Sequence, residues 1–430
     1  MSAPLRIGIA GLGTAGVGTV RLLTEHADLL TRRCGRRLEL AAVSARDRSR
    51  DRGIDMGAAR WHDDVCALAA DPGIDVVVEL VGGADGVALA LCRAAIANGK
   101  PFVTANKAML AHHGDELARA AEKAGVAVGY EAAVAGGIPI VKALREGLAG
   151  NDVERVYGIL NGTCNYILTA MRDSGREFAE VLDEAQRLGY AEADPSFDID
   201  GIDTAHKLAL LASLAFGRPV DFDSVQVEGI REVGALDIGF ALELGYHIKL
   251  LGIAARTERG IEQRVHPCMV SSATPIAHVE GAFNAVVVEG DFVDRTMFGG
   301  RGAGAGPTAS AVVADLVDIA RGQCLPVFGI PVRDLAAIPG APMARHRGAY
   351  YIRLMVVDRP GVMADVTAAL RDEQVSVEAL IQRARNPGDV VPVVLTTHET
   401  EEAAMLRALA AIDDLDTVLE PPRMIRIEEL

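Results

Sequence analysis

The sequence predicts an α/β protein with a doubly wound parallel sheet, a second α+β unit and a small C-terminal ferredoxin-like unit. The first observation is that short apolar runs alternate with helical stretches over residues 5–130. The second is that this alternation ends near Val153, where one strand is followed by several helices. The third is the order strand–helix–strand–strand–helix–strand after Tyr350. A chain of 430 residues is long enough for two or three such units.

The composition points away from nucleic acids and membranes. The formal net charge is −16 and no basic cluster offsets it, whereas a nucleic-acid groove or an anionic membrane surface needs a basic patch. No uncharged stretch reaches the roughly 18 residues of a membrane span, and the opening residues lack the pattern of a signal peptide. The six cysteines form no CxxC pair, which fits reduced core thiols. We therefore expect a soluble cytoplasmic protein that binds neither nucleic acid nor membrane.

A glycine-rich turn near the start of the chain predicts a dinucleotide site. The apolar strand Leu5 to Ala10 leads into the sequence GLGTAG, and a helix follows. In this context the first glycine of GxGxxG makes the turn, the second lets the backbone approach a pyrophosphate, and the third packs helix against strand. The first unit is thus predicted to be a Rossmann-type NAD(P)-binding sheet, with a simple tight turn as the alternative. The predicted cofactor-binding residues of this turn are Gly11, Gly13, Thr14, Ala15 and Gly16.

Residues at the ends of later strands bear on the choice of cofactor. The second strand is followed by Arg46 and Asp47. An arginine there suits the 2′-phosphate of NADP, while a carboxylate suits the ribose hydroxyls of NAD. The sequence favours NADP, and Asp47 keeps NAD as the alternative. Gly82 would allow close approach to the nicotinamide half, or it forms an ordinary turn. The strands after the first are predicted at Leu38 to Ala45, Val76 to Val81, Phe102 to Thr104 and Ala127 to Tyr130.

Two more segments of the first unit carry charged side chains next to strands. Lys107 follows the strand Phe102 to Thr104, at the end where a parallel sheet binds its ligands, and it could reach a carbonyl or carboxylate. An exposed lysine at a helix start is the alternative. Glu131 begins a turn of small residues whose backbone carbonyls would suit a hard monovalent cation. From the residues alone, a helix entry with Pro139 near its first turn is the simpler interpretation.

The segment from Glu192 to Phe216 places charges beside a long apolar helix. Asp203 and Lys207 are four residues apart, so they share one helix face, and leucines continue that face. This spacing predicts either a pair that faces a cleft or a surface ion pair contributing about 0.3–0.5 kcal/mol. Only six of the 43 basic residues are lysines. That scarcity favours a need for lysine itself, because an ammonium group can transfer a proton and a guanidinium cannot.

Two further features of the second unit have competing interpretations. Cys164 in NGTCNY could attack an aldehyde, but buried cysteines are usually small apolar residues, and no histidine lies nearby in sequence. Residues Phe298 to Thr308 are predicted to form a second glycine-rich loop that opens a helix from Ala309 to Arg321. Through Gly304 and Gly306 this loop could contact the cofactor from the side opposite the first loop, or it could be a flexible hinge.

The last part of the chain is predicted to be a linker followed by a βαββαβ unit. Residues Val332 to Gly348 lack periodicity and carry prolines and several arginines, as linkers do. The elements predicted after the linker are the strand Tyr350 to Asp358, the helix Val362 to Asp372, the strands Val375 to Gln382 and Val390 to Thr397, the helix Glu401 to Ile412 and the strand Thr417 to Ile427.

A series of motifs runs through nearly the whole chain: GLGTAGVG, VVELVGG, VTANKA, EAAVAGGIP, GILNGTCNYILT, GYAEADPSFDIDGIDTAHKLA and GAGAGPTASAVVAD. Together they resemble the homoserine dehydrogenase family of the long, regulated type. The closing unit resembles an ACT domain through DRPGVMADVTAAL. The resemblance implies reversible reduction of L-aspartate 4-semialdehyde to L-homoserine with NADPH or NADH, on the path to threonine, methionine and isoleucine.

Carried over residue by residue, the resemblance gives roles to the charged side chains. Lys207 corresponds to the proton donor, and Lys107 to a second active-site lysine near the cofactor and the reacting carbonyl. Glu192 and Asp203 correspond to acids that hold the substrate's α-ammonium group, supported by Asp198. The substrate-binding set is completed by Gly162 and Thr163. The full cofactor-binding set is Gly11, Gly13, Thr14, Ala15, Gly16, Arg46, Gly82, Lys107, Gly304 and Gly306.

The resemblance also implies a cation, an effector and an assembly. The family's sodium or potassium site matches Glu131 with the backbone of Val134, Gly136 and Ile138, which replaces the helix-entry interpretation. Threonine is the expected effector of the ACT domain, and the family forms homodimers or homotetramers. The predicted division is a Rossmann NAD(P)-binding domain at 1–133 and 305–330, a catalytic and dimerisation domain at 134–304, a linker at 331–348 and an ACT regulatory domain at 349–430.

Two other functions fit parts of the sequence. One is an acylating semialdehyde dehydrogenase that uses Cys164 covalently and depends on phosphate or coenzyme A. The other is a non-enzymatic nucleotide sensor built from a Rossmann and an ACT domain. The joint presence of Lys107, Lys207, Asp203 and Glu192 argues against a sensor, because a sensor has no use for a proton donor.

Overall fold

The computed structural model describes residues 3–383 and 389–430. Within these ranges the first unit is a six-stranded parallel sheet flanked by helices. Its strands are β1 (Leu5–Ala10), β2 (Leu38–Ser44), β3 (Arg60–Trp61), β4 (Val76–Glu79), β5 (Phe102–Thr104) and β6 (Val128–Gly129). Its helices are α1 (Thr14–Glu25), α2 (Ala27–Cys34), α3 (Ala67–Ala70), α4 (Val87–Ala97) and α5 (Lys107–Ala124). The order β3-β2-β1-β4-β5-β6 confirms the predicted doubly wound sheet.

Steric crowding explains two glycines between β1 and α1. Gly11 has a φ of 94°, and a Cβ there would collide with the carbonyl oxygen of Leu80. A Cβ on Gly16 would collide with the carbonyl oxygen of Gly11. A side chain at either position would therefore open the turn between β1 and α1.

The second unit builds a mixed sheet covered by helices. Its strands are β7 (Val153–Ile159), β8 (Gln226–Val227), β9 (Tyr246–Thr257), β10 (Gly260–Ser271), β11 (Phe283–Gly290) and β12 (Asp294–Arg301). Its helices are α6 (Ile140–Lys142, continued by a π-helical turn at Ala143–Gly147), α7 (Gly162–Ser174), α8 (Phe178–Arg187), α9 (Ser196–Ile199), α10 (Ile202–Phe216) and α11 (Ala235–Glu243). The apolar helix α10 packs against α5 of the first unit and β9 of the second. Helix α10 therefore lies between the two sheets.

The second glycine-rich stretch is shorter than the sequence predicts. Its first part, from Phe298, belongs to β12, which pairs antiparallel with β11, so the prediction of a loop there is wrong. Glycines weaken a strand but do not prevent one, and here the ladder with β11 outweighs their turn preference. The next helix, α12 (Ala305–Ala320), begins four residues earlier than predicted, after Gly304. It returns to the first unit, where a Cβ on Gly18 would collide with the carbonyl oxygen of Ala305.

The C-terminal unit confirms the predicted ferredoxin-like βαββαβ order. Its strands are β13 (Arg347–Val357), β14 (Val377–Gln382), β15 (Val390–Thr397), β16 (Thr400–Glu401) and β17 (Arg423–Glu428), and its helices are α13 (Val362–Asp372) and α14 (Glu402–Asp413). The strand order β17-β13-β15-β14 has the first strand beside the last. Strand β13 begins inside the segment predicted to be a linker. Strand β17 begins later than predicted, after Pro421 and Pro422, because proline cannot donate to a ladder.

The second and third units share one sheet. Strand β17 pairs in parallel with β10, so an eleven-stranded sheet continues through both units within the described residues. Buried ion pairs reinforce this junction. Arg426 is 3% exposed and binds Glu228 of the second unit and Glu402 of α14. Arg264 on β10 binds Glu428 on β17 at 2.7 and 2.9 Å.

Across residues 3–383 and 389–430, no helix combines the length and the apolar character needed to cross a membrane.

Candidate active site

A cavity of about 520 Å³ lies where the first and second units meet. Its wall combines residues that follow β5 with residues from the starts of α7, α10 and α12. Helix N-termini and the carboxyl ends of parallel strands are where α/β proteins bind anionic and nucleotide ligands. The residues predicted from the sequence that line it are Lys107, Gly136, Gly162, Thr163, Asp198, Asp203, Lys207 and Gly304.

Asp203 joins the two predicted active-site lysines. Its Oδ2 accepts a hydrogen bond from Lys207 Nζ at 2.6 Å, and its Oδ1 lies 3.1 Å from Lys107 Nζ. Asp203 is 4% and Lys207 8% exposed, so the pair faces the cavity and the surface interpretation is wrong. Burial pushes the pKa of Asp203 up, but the ammonium groups of Lys207 and Lys107 outweigh burial and hold that pKa well below its usual value. The carboxylate is therefore charged at neutral pH.

Both lysines are held by further contacts. Lys207 Nζ donates a second hydrogen bond, 2.7 Å long, to the carbonyl oxygen of Leu160 at the end of β7. Lys107 Nζ lies 5.5 Å from the centre of the Phe197 ring, a distance typical of a cation–π contact. An ammonium group has three donors, so Lys207 keeps one N–H for a ligand.

Asn161 is a site residue that the sequence did not single out. Its Oδ1 accepts a hydrogen bond from Cys164 N and so caps α7, while its Nδ2 donates to Asp198 and Asp203, each bond being 2.8 Å long. One side chain thus fixes the start of α7 and both carboxylates. An asparagine between a strand and a helix is a recognisable N-cap signal. Its reach to Asp198 and Asp203 depends on contacts between distant parts of the chain.

Asp198 belongs to α9, and Cys164 on α7 contacts its backbone. Burial and then the charge of Asp203 raise the pKa of Asp198, which Asn161 partly offsets by donating a hydrogen bond. Cys164 is fully buried, and its thiol donates to the carbonyl oxygen of Asp198 at 3.2 Å. Burial raises the pKa of this thiol well above its usual value. Cys164 therefore behaves as a buried neutral thiol, which argues against its use as a nucleophile.

A buried carboxylate shapes the turn at Gly82. Glu79, at the end of β4, accepts hydrogen bonds from the N–H groups of Val81 and Gly82 at 2.7 and 2.8 Å. Its other oxygen accepts from the Thr104 hydroxyl at the end of β5. Gly82 has a φ of 85°, which favours glycine. The turn predicted to approach the nicotinamide half is thus fixed to both neighbouring strands.

Asn106 positions Lys107 at the first turn of α5. Its Oδ1 accepts from Met109 N at 3.0 Å, and its Nδ2 donates to the carbonyl oxygen of Gly83 at 2.7 Å. This cap ties the start of α5 to the turn after β4. The sequence did not single out Asn106 as a site residue, although it precedes a predicted helix as an N-cap does.

The glycine-rich segments of α1 and α12 lie side by side. Gly13 and Thr14 are exposed at the start of α1, Ala15 is partly buried and Gly16 is buried. Gly304 and Gly306 are exposed at the start of α12. Close packing of α1 on α12 through Gly18 and Ala305 brings both N-termini to the same side of the first sheet. Two helix N-termini there favour an anionic ligand such as a pyrophosphate.

Of the two charged residues directly after β2, Asp47 is held by hydrogen bonds and Arg46 is exposed. Asp47 accepts hydrogen bonds from the backbone N–H and hydroxyl of Ser49 at 2.8 and 2.7 Å. The Ser49 bonds lower the pKa of Asp47. Arg52 donates to the carbonyl oxygens of Asp47 and Leu12, which ties this loop to the first glycine-rich turn. Arg46 is exposed on the same loop.

Glu131 is buried beside a second carboxylate. Its two carboxylate oxygens accept from the N–H groups of Val141 and Lys142 at the start of α6, at 3.0 and 2.9 Å. Burial, followed by the charge of Asp315, raises the pKa of Glu131 to about 7. The Glu131 carboxylate therefore accepts hydrogen bonds from the backbone at the start of α6.

The backbone that follows Glu131 makes a sharp turn beside the cavity. Val134 and Ile138 are buried, and Gly136 packs against the carbonyl oxygen of Gly302 at the cavity wall. Ala135 between them has a φ of 51°, so the chain turns sharply here. A set of backbone carbonyl oxygens is a hard donor set that suits Na⁺ or K⁺.

Of the residues predicted for catalysis and substrate binding, Glu192 is the one that does not line the cavity. It is exposed on the loop before α9, outside the cavity lining, although Gly189 and Tyr190 of the same loop line the cavity. The carbonyl oxygen of Glu192 accepts a hydrogen bond from the Gln186 side chain. Its binding of the substrate's ammonium group stays a prediction.

Comparisons with known proteins agree along the whole chain. Residues 139–317 match the homoserine dehydrogenase family model, residues 11–131 match the homoserine dehydrogenase NAD-binding domain, and residues 350–414 match the ACT domain. The chain is 46% identical over 434 residues to a homoserine dehydrogenase from Pseudomonas aeruginosa, with 99% of each chain covered. A homoserine dehydrogenase from Neisseria gonorrhoeae is also 46% identical, over 433 residues, again with 99% of each chain covered.

Solved structures of homoserine dehydrogenases also superpose on the chain. A crystal structure of a homoserine dehydrogenase from Thiobacillus denitrificans superposes with a TM-score of 0.94 at 47% identity, covering 99% of this chain and 98% of that one. A hyperthermophilic archaeal homoserine dehydrogenase in complex with NADPH superposes with a TM-score of 0.62 at 26% identity, covering 73% of this chain and 97% of that one. With the lysine-lined cavity between a dinucleotide-binding sheet and the second unit, these matches show that the chain belongs to the homoserine dehydrogenase family of oxidoreductases and carries a C-terminal ACT domain.

Proposed function

We propose that the protein reversibly reduces L-aspartate 4-semialdehyde to L-homoserine, with Lys207 as the proton donor, in threonine, methionine and isoleucine biosynthesis. The observation that carries this proposal is the buried Asp203 carboxylate, which contacts Lys207 and Lys107 inside one cavity. When bound, the nicotinamide supplies the hydride that adds to the aldehyde carbon. The aldehyde oxygen then gains negative charge, which a neighbouring ammonium group stabilises and protonates.

The contacts of Lys207 suit this step. Asp203 and the carbonyl of Leu160 accept two of its N–H groups, which fixes the direction of the third. In the proposed reaction the third N–H donates to the reacting oxygen and delivers the proton. Lys107 assists from the other oxygen of Asp203 and contributes positive charge near the same carbonyl. In the reverse direction, neutral Lys207 removes the hydroxyl proton of homoserine as hydride leaves the carbon.

The amino-acid end of the substrate is bound by the start of α7, by Asp198 of α9 and by Glu192 of the loop before α9. The N-terminus of α7, at Gly162 and Thr163, offers the positive end of a helix to the substrate carboxylate. Asp198 and Glu192 take the α-ammonium group, for which Glu192 must approach from its exposed loop. Asp203 was also predicted to bind that group. Its carboxylate already contacts two ammonium groups, so positioning the lysines is its first task.

NADP is the proposed cofactor. The residues proposed to bind it are Gly11, Gly13, Thr14, Ala15, Gly16, Arg46, Gly82, Lys107, Gly304 and Gly306. The Asp47 carboxylate is engaged by Ser49, whereas Arg46 is exposed and open to a 2′-phosphate. A sodium or potassium ion is proposed at Glu131 and the backbone carbonyl oxygens of Val134, Gly136 and Ile138. The cation would hold the sharp turn that forms part of the cavity wall.

Threonine is the proposed effector of the ACT unit. A cavity of about 490 Å³ lies between the end of β13, the start of α13 and Gln382 on β14. Threonine at millimolar concentration should lower activity, and Gln382→Ala should weaken that inhibition while leaving uninhibited turnover unchanged. A point variant is the better test, because deleting the unit would expose the edge of β10 that β17 covers. Inhibition that is equal in Gln382→Ala and the unchanged chain would place the effector elsewhere.

The proposed domains keep the predicted bounds: 1–133 with 305–330 for the cofactor, 134–304 for catalysis and dimerisation, 331–348 as linker, whose last two residues begin β13, and 349–430 as the regulatory ACT domain. Return of α12 to the first unit supports the split of the first domain. A cytoplasmic homodimer or homotetramer is proposed from the family. The mass of the purified protein in solution tests the assembly.

The activity is tested by following NADPH formation from homoserine at 340 nm, with NADP and NAD compared and K⁺ present or absent. We expect turnover with both cofactors, a preference for NADP and a stimulation by the cation. Activity that requires phosphate or coenzyme A would favour the acylating dehydrogenase, and nucleotide binding without turnover would favour the sensor.

A further inference from the structure

An aromatic side chain lies against one of the two active-site lysines. Lys107 Nζ is 5.5 Å from the centre of the Phe197 ring, within the range of a cation–π contact. Phe197 belongs to the short helix α9, and the next residue, Asp198, lines the cavity. The ring is 42% exposed, so it contributes little to the apolar core.

Lys107 has fewer polar contacts than Lys207. Lys207 Nζ donates to Asp203 and to the carbonyl oxygen of Leu160. Lys107 Nζ lies 3.1 Å from Asp203, and no other carboxylate contacts it among the described residues. The Lys107 side chain is 31% exposed, compared with 11% for Lys207. A four-carbon stem with one polar contact keeps much of its rotamer freedom, so the ring is the second contact that limits where the ammonium group lies.

The segment that carries the ring is itself held by side chains. At the start of α9, Ser196 N donates to Asp194 Oδ1 at 3.1 Å. On the residue after the ring, Asp198 Oδ1 accepts from Asn161 at 2.8 Å. Phe197 therefore offers the lysine a surface whose backbone is fixed on both sides.

The Phe197 ring also joins an aromatic stack on α10. The ring centres of Phe197 and His206 are 5.6 Å apart, and His206 stacks on Phe222 at 4.4 Å. Burial is the largest cause that lowers the pKa of His206 to about 4, so this ring is neutral at pH 7 and does not compete as a cation with Lys107. Helix α10 also carries Asp203, so one helix supports both groups that contact Lys107.

We propose that Phe197 is a positioning residue, whose ring face holds the Lys107 ammonium group between Asp203 and the reacting carbonyl. The proposal rests on the hydride-transfer function given above, in which Lys107 contributes positive charge near that carbonyl. An aromatic face attracts a cation through its quadrupole and offers no lone pair that would take an N–H group from the carbonyl. Asp203 accepts from one of the three N–H groups of Lys107, which leaves donors for a ligand.

The first test detects the contact without any turnover. The chain has six lysines, so a proton–carbon spectrum of the full-length protein labelled at the lysine ε-carbon contains few signals, and Lys107→Arg identifies the signal of Lys107. A ring current shifts protons above an aromatic face upfield. We expect the Lys107 signal to move downfield in Phe197→Leu, while the signal of the exposed Lys123 stays. An unchanged Lys107 signal would overturn the proposal.

The second test separates the charge distribution of the ring from its shape. Trifluorophenylalanine has nearly the shape of phenylalanine, but its fluorines weaken the negative face of the ring. At position 197 it should lower kcat for homoserine oxidation by about five- to tenfold, as for loss of a cation–π contact. Phe197→Tyr keeps the face and should stay within about twofold of the unchanged chain. The Kd of NADPH should stay within about twofold in both proteins.

The control is trifluorophenylalanine in place of Phe216, in the last turn of α10. Arg256 Cζ lies 5.7 Å from the centre of that ring, so the same kind of contact is weakened far along the helix, and kcat should stay within about twofold. A kcat that falls in Phe197→Leu but not with the fluorinated ring would overturn the proposal, because the ring would then only fill space.

A Kd of NADPH that rises with the fluorinated ring at position 197 would also overturn it, by making Phe197 a cofactor contact. If the unchanged chain does not turn over homoserine, the proposed function fails. The shift of the Lys107 signal still decides in that case whether Phe197 holds Lys107.

Discussion

The carboxylate of Asp203 and the ammonium group of Lys207 are joined at 2.6 Å across one turn of α10, and Lys107 reaches the other oxygen of the same carboxylate. Removing one member of a buried ion pair leaves an uncompensated charge, which typically costs about 3–5 kcal/mol. Asp203→Asn would leave two ammonium groups without a counter-charge. We expect its unfolding free energy at pH 7, measured with urea, to fall by about 3 kcal/mol.

Turnover should also fall in Asp203→Asn, by roughly 100-fold or more, because Lys207 loses the charge that positions it. The control is Glu116→Gln, which breaks the exposed pair with Arg93 and should change stability by less than about 1 kcal/mol. Equal losses of stability in both variants would show that the Asp203 pair behaves as a surface pair.

Arg46 should decide the cofactor preference. Arg46→Ala removes the side chain proposed to contact the 2′-phosphate of NADP, while NAD has no group there to lose. We expect kcat/KM with NADP to fall by about tenfold or more and kcat/KM with NAD to stay within about twofold. The ratio of the two, measured with homoserine as the common substrate, checks this. A ratio unchanged in Arg46→Ala would move the phosphate contact to another residue.

We expect His206 to lower the stability of the protein in acid. It is buried, stacks on Phe222 with ring centres 4.4 Å apart, and its Nε2 lies 3.4 Å from that of His112. Burial, then the charge of His112, lowers its pKa from 6.5 to about 4. The unfolded state therefore binds a proton at His206 at a higher pH than the folded state does. As a result, the unfolding free energy should fall as pH falls from 6.5 to about 4.

His206→Phe keeps the stacking and removes the titration. Its unfolding free energy should depend less on pH between 6.5 and 4 than that of the unchanged chain. The control His398→Phe, at an exposed position, should follow the unchanged chain. Identical pH profiles for His206→Phe and the unchanged chain would assign the acid sensitivity to other groups.

The junction between the second unit and the ACT unit depends on Arg426. Arg426→Met leaves Glu228 and the buried Glu402 without their shared partner, so we expect a loss of about 3–5 kcal/mol in unfolding free energy. The matched control is Arg423→Met on the same strand. Arg423 pairs with the exposed Glu232, and its loss should cost about 0–1 kcal/mol. Comparable losses of unfolding free energy in the two variants would mean that the buried ion pairs of Arg426 stabilise the protein no more than an exposed pair does.

Local patterns were enough to predict most elements and part of the site. The GxGxxG turn predicts β1 and α1, because its glycines are required by steric contacts that recur in turns of this kind. The i, i+4 spacing of Asp203 and Lys207 predicts their contact, since a helix brings those positions together.

Contacts between distant segments escape such patterns. Asn161 reaches Asp203 only because β7, α7 and α10 converge, and Phe197 contacts Lys107 only because α9 lies beside the start of α5. The parallel pairing of β10 with β17, which merges two units into one sheet, likewise has no local signal. Glu192 shows the reverse case, in which a motif predicts a role and the side chain lies outside the cavity lining.

The most direct test of the proposed mechanism is the turnover of Lys207→Ala with saturating homoserine and NADP, measured beside its Kd for NADPH. We expect turnover to fall by about 10²–10⁴-fold, as for loss of a general acid, while the Kd stays within about twofold. Lys123→Ala, at an exposed lysine near the end of α5, is the control and should keep full activity. A Lys207→Ala protein that retains most of its turnover would contradict the assignment of Lys207 as the proton donor.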